Sequence, residues 1–153
     1  MRLTAQTIVA TTAALALCLL AGQAALASDD LADGAALYAE HCASCHGAEL
    51  EGAPDWRRRG ADGLYPAPPH DETGHTWHHG DRLLFDYTKL GGEGLLAARG
   101  ITDFESGMPG FAEILTDDEI RDILALIKST WPEQLRRHQE EMTLQEAASQ
   151  AED

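Results

Sequence analysis

Much of what usually organises a small protein is scarce in this sequence. Only three of its 153 residues are cysteines and 6% are aromatic, which excludes a disulfide scaffold and leaves little for a large aromatic core. Cations are few as well: 11 Lys+Arg stand against 26 Asp+Glu, a formal net charge of −15. Such a surface repels nucleic acid and anionic membranes. It suits a basic protein partner drawn in by long-range attraction, or serves only to keep the chain soluble. There is no internal repeat. The apolar run from Ile8 to Leu20 is too short to cross a bilayer.

What is present begins with that run. Arg2 precedes it, and Ala25-Leu26-Ala27 follows with the small-x-small pattern of a signal-peptidase site. Residues 1–27 are therefore expected to be a secretory signal peptide that delivers the chain to the periplasm. Cys18 follows Leu17 rather than a small residue, which disfavours a lipid anchor. A retained leader would be the alternative membrane attachment. Loss of Arg2 with the leader leaves 10 cations against 26 acids, a formal −16.

Beyond the leader the periodicity is helical. Leu31, Ala35, Tyr38 and Cys42 share one face of a helix expected over Leu31–Cys45, capped by Asp29 or Asp30 and ended by Gly47. Residues 48–80, which include Pro66-Ala67-Pro68-Pro69, predict a long loop with little room for a sheet. A short helix is expected over Asp81–Leu90, capped by Asp81 and closed by Gly91-Gly92. Thr116-Asp117-Asp118-Glu119 is a capping box opening an amphipathic helix with Ile120, Ile123, Leu124 and Ile127 on one face, up to Trp131-Pro132. Residues 133–153 form a charged C-terminal tail, expected as a surface helix grading into disorder. The class is all-α, with one domain over 28–132. Its helices are short and its core thin, so something large and apolar is expected to fill it.

The two cysteines outside the leader both lie in His41-Cys42-Ala43-Ser44-Cys45-His46-Gly47. A thioredoxin-like redox pair would follow a strand, and none precedes Cys42. A structural zinc site needs four ligands, and there is no third cysteine, only histidines in the 70s. Covalent haem attachment needs two thiols one helical turn apart, which add to the two vinyl groups, and a histidine directly after the second thiol to reach the iron. Cys42, Cys45 and His46 supply this, and the leader supplies the export that attachment requires. The second axial ligand is expected far along the chain. Met142 lies in the charged tail. Met108, in Ser106-Gly107-Met108-Pro109-Gly110-Phe111, sits on a loop where glycines let the backbone come close and proline stiffens the turn. Met108 is the expected distal ligand.

Taken together, these residues resemble a bacterial class I cytochrome c over roughly Leu31–Pro132. The resemblance implies one covalent haem c, with N- and C-terminal helices crossing over it and a long loop insertion. It also implies that a glycine and an aromatic on the first helix pack on an aromatic of the last. Gly34 and Tyr38 match the first part, but the last helix offers Ala125-Leu126. Family members fix the proximal histidine with a proline carbonyl, for which Pro54 is the first candidate and Pro68 and Pro69 are rivals.

Two further stretches bear on the haem. Trp56 and Arg57 are candidate donors to its carboxylates. The run His70-Asp71-Glu72-Thr73-Gly74-His75-Thr76-Trp77-His78-His79 admits three readings: a copper or zinc site, a source of the sixth iron ligand, or a polar loop packing at the haem rim. The last is favoured. The expected function is non-enzymatic electron transfer between redox proteins. The alternatives are a haem enzyme or gas-binding protein with a labile sixth ligand, or a haem subunit of a larger oxidoreductase.

Overall fold

The computed structural model describes residues 30–151, so the expected leader lies outside the described residues. Among the described residues every regular element is helical, in keeping with the all-α class. Helix α1 spans 30–41. Helices α2 (Ala43–His46), α3 (Asp81–Ala98), α4 (Asp117–Ser129) and α5 (Glu133–Gln150) follow, with a 3-10 turn at Thr76–His78. None of these helices is long and apolar enough to cross a membrane.

Helices α1 and α4 cross at Gly34. A Cβ on Gly34 would run into the carbonyl of Asp122, so only a hydrogen there allows the two backbones to come this close. One turn on, Tyr38 is buried in the cluster that holds Leu115, Ile120, Ile123 and Ile127. Ile120 and Ile123 are the largest fully enclosed side chains, each worth about 1.5–3 kcal/mol of apolar burial. Helix α4 brings no aromatic to this crossing; Ala125 and Leu126 are half-buried, and so is Leu124 at the margin of the face. The capping box forms as expected: Thr116 N donates to Glu119 Oε2 at 2.7 Å, and Glu119 N donates to Thr116 Oγ1 at 3.3 Å.

Three elements depart from the sequence expectation. The helix expected over Leu31–Cys45 is interrupted at Cys42 (φ −116°) and resumes as α2. The helical register survives, because His46 N donates to Cys42 O at 2.9 Å. The helix expected to stop at Leu90 continues to Ala98 after a kink at Gly91 (φ 74°, ψ 168°). Asp81 is not its cap. The capping position is Gly80, which has no side chain to offer. The orphan amides of Asp81 and Arg82 donate instead to Thr143 Oγ1 and Glu146 Oε2 on α5, both at 3.1 Å.

That last contact explains the third departure. The segment expected to fade into disorder is a helix unbroken to Gln150, packed on the 3-10 turn and on α3. Gln139, only 2% exposed, donates through Nε2 to Asp81 Oδ1 (2.7 Å) and to the His79 carbonyl (3.2 Å). Gln139, Thr143, Glu146 and Gln150 lie on one helical face. Each bonds to the start of α3 or to His79, so α5 is held by polar groups rather than by an apolar stripe.

Candidate functional site

Helix α2 and the residue before it hold Cys42, Cys45 and His46, the residues expected to attach and ligate a haem. Cys42 is half-buried and Cys45 exposed, and both are free thiols. His46 is 7% exposed, and its Nδ1 lies 2.8 Å from the carbonyl oxygen of Pro68. A carbonyl can only accept, so Nδ1 carries the proton and Nε2 keeps its lone pair. Burial lowers the His46 pKa and the Pro68 carbonyl partly opposes this, leaving a neutral imidazole with one nitrogen free for a metal.

The partner of His46 is thus Pro68 and not Pro54, the first candidate from sequence. Pro54 is exposed. The backbone of residues 50–53 lies along residues 67–71: Ala53 N donates to Ala67 O (2.8 Å), and His70 N donates to Leu50 O (2.8 Å). This pairing brings Pro68 to His46 and sends residues 54–66 outward as a loop. Distance in sequence favoured Pro54, and the return of the loop overrules it.

Met108 is placed through its backbone. Its N–H donates to Ser106 Oγ (3.2 Å), and its carbonyl accepts from Gly92 N (3.2 Å) at the kink of α3. A Cβ on Gly91 would collide with the backbone of Pro109 and Gly110, so Gly91 supplies both the positive φ and the room for the methionine loop. The half-buried Met108 packs on the same apolar cluster as Cys42 and Ala43, with Tyr38, Phe111 and Leu115 among its members. Residues far apart in sequence thereby meet across one core. An open surface cleft lies between residues 60–66 and Gly107, and none of Cys42, Cys45, His46 or Met108 lines it. Met142, on α5, instead lines a different surface cleft with His78 and His79.

The histidine-rich loop assembles as pairs of rings. His70 stacks on His46, with centroids 4.1 Å apart and planes 19° apart. His75 stacks on Trp56 (5.2 Å, 10°), and Arg57 lies 4.0 Å over the opposite partner of that stack, Trp56. Trp77 stacks on His78 (3.8 Å), and His138 of α5 meets both edge-on. Among the described residues no three His, Cys, Asp or Glu side chains gather where they could hold a metal ion. The copper or zinc site therefore does not assemble in this structure. Burial, together with His46 and His75, pushes His70 down to about 3.

The donor set fits a covalently attached haem: two free thiols one turn apart, an adjacent imidazole presenting Nε2, and a thioether on the shared apolar cluster. A buried nitrogen without a protein partner, His75 Nδ1, stands beside Trp56. A family model described as cytochrome c matches residues 31–131. The chain belongs to the cytochrome c family. No curated protein and no solved structure was found to match it. This cytochrome carries haem c, covalently bound and containing iron, and is a haem-binding electron-transfer protein that works with redox protein partners. Sequence reasoning proposed Cys42, Cys45, His46 and Met108 for this site and gave Pro68 only as a rival to Pro54. It missed His70 as the neighbour of His46, although the Pro68-Pro69-His70 run was the available signal.

Proposed function

We propose that this cytochrome is an exported, periplasmic single-electron carrier, not an enzyme, in which His46 and Met108 are the two axial ligands of one haem attached through Cys42 and Cys45. The observation that carries this is the packing of Met108 on the same apolar cluster as Cys42. When bound, haem c supplies one-electron iron chemistry, and a thioether ligand raises its potential relative to a second imidazole. The chain's own residues do the rest. The Pro68 carbonyl holds the His46 proton on Nδ1, which fixes the tautomer and would leave Nε2 to hold the iron. The Gly91 kink and Ser106 hold the methionine loop in place, so the ligand set changes little between oxidation states. Tyr38, Phe111 and Leu115 exclude water. Trp56 and Arg57 are the candidate donors to the haem carboxylates, a reading supported by their packing on one another and by the unpartnered His75 Nδ1 beside them. A histidine as sixth ligand is disfavoured for His70, which lies flat against His46 rather than opposite it.

The test is the oxidised visible spectrum. The far-red thioether-to-iron band should be present in the intact protein and absent from Met108→Ala. A high-spin intact protein that takes up carbon monoxide readily would replace this reading with a haem enzyme or gas-binding protein.

A further inference from the structure

His70 is the best-anchored side chain of the histidine-rich loop that the ligand set leaves unused. Its ring lies nearly parallel to that of His46 at stacking distance, and its Nδ1 is 2.8 Å from Thr76 Oγ1. Its backbone is held at both ends. The carbonyl accepts from Trp131 Nε1 at 2.7 Å, just after α4, and the N–H donates to Leu50 O at 2.8 Å. Leu50 itself is strained, with φ at 67°, a conformation that a bulky residue adopts only where its surroundings impose it. Its buried side chain and the two amides on its carbonyl, from His70 and Asp71, are those surroundings. Nothing in the backbone pairing requires an imidazole at position 70, since the N–H and carbonyl would be present in any residue but proline.

The His46 ring is attached by one rotatable bond to its Cβ and by one hydrogen bond to Pro68. Those two points define an axis about which the ring can still rock. A flat, anchored ring against one face removes that freedom. We propose that His70 is a positioning residue for the proximal imidazole: stacked on His46 and tethered by Thr76, it fixes the plane of the ligand ring and thereby helps set the haem potential. The hydrogen bond from Pro68 and the stack from His70 come from one short stretch of chain. The orientation of the iron's ligand is thus governed by the same loop, clamped by Leu50 on one side and Trp131 on the other.

The inference rests on His46 being the proximal ligand, and the experiment separates the two. Holoprotein is prepared as wild type, His70→Ala, His70→Phe and Thr76→Val, and each is examined by redox titration and by low-temperature electron paramagnetic resonance. A wild-type low-spin signal, lost in His46→Ala, secures the ligand. Outer-sphere partners of metal-bound histidines commonly change a site's properties by about tenfold or more. His70→Ala is therefore expected to change the reduced-to-oxidised ratio at fixed solution potential by about tenfold, which is ~59 mV for a one-electron couple, and to broaden or shift the low-spin signal. His70→Phe, which keeps a flat ring, should stay close to wild type, with Thr76→Val between them. The far-red band should persist in all three variants, showing that the methionine side is untouched. A low-spin wild type whose potential and signal are unchanged in His70→Ala overturns the positioning role and leaves the ligand assignment standing. A wild-type signal that survives unchanged in His46→Ala overturns both.

Discussion

At the scale of single residues, the site depends on a few positions with no spare room. Gly34 is the sharpest, because its α-carbon faces the carbonyl of Asp122 across the α1/α4 crossing. Gly34→Ala should force the two helices apart and cost about 1–3 kcal/mol, the usual penalty for overpacking. Urea denaturation of the holoprotein would measure this. An unchanged midpoint would mean that the crossing is looser than the contact implies. The substitution lies outside the ligand set, so the visible spectrum should not change. Gly34 and Tyr38 were legible from the sequence because the family pattern names them. Pro68 was legible only as one of three candidates, since nothing local says how a long loop returns.

The element scale brings in α5 and the histidine-rich loop beneath it. Helix α5 was read as a surface tail because its face lacks large apolar residues, and apolar periodicity is the main signal of a packed helix. Its attachment is polar. Gln139 is buried with its amide bonded to Asp81 and His79, so Gln139→Leu should cost about 1–3 kcal/mol by leaving the His79 carbonyl unpaired and Asp81 with Lys128 alone. If the urea midpoint held, α5 would be peripheral to stability. The loop should also respond to pH. His75 and His79 are both held below the ordinary histidine value, by burial first and by neighbouring histidines second, with Glu146 opposing at His79. Their folded pKa values lie below the unfolded value of 6.5, so the unfolded chain takes up protons first as pH falls. The stabilisation is complete above 6.5 and is lost as pH drops through and below it. Thermal melts should show Tm declining between about pH 7 and pH 5, with a shallower decline in His79→Gln. A flat profile in the intact protein would contradict the burial of these rings.

For the whole molecule, charge is the governing quantity. With 26 acidic residues against 11 basic ones, encounter with a basic redox partner should be accelerated by long-range attraction that salt screens over about 10 Å at 0.1 M. The bimolecular electron-transfer rate with a cationic acceptor should therefore fall as salt is raised, and rise with an anionic acceptor. Stopped-flow measurements over a salt series would show this. A rate that increased with salt toward the cationic acceptor would place the docking face at a basic patch such as the exposed run Arg57-Arg58-Arg59.

What the sequence determined by itself was local. Two thiols a turn apart with a histidine behind them, a capping box, and the amphipathic face of α4 are written in adjacent residues, and each formed where it was read. The tertiary structure decided which distant groups meet: Pro68 rather than Pro54 at His46, His70 flat against that ring, and α5 capping a helix whose own capping position is a glycine. The physical reason is that these contacts are made by backbone carbonyls, amides and small polar groups. Such groups occur at nearly every position, so no residue pattern distinguishes the ones that pair until the loop has closed and placed them within hydrogen-bonding reach.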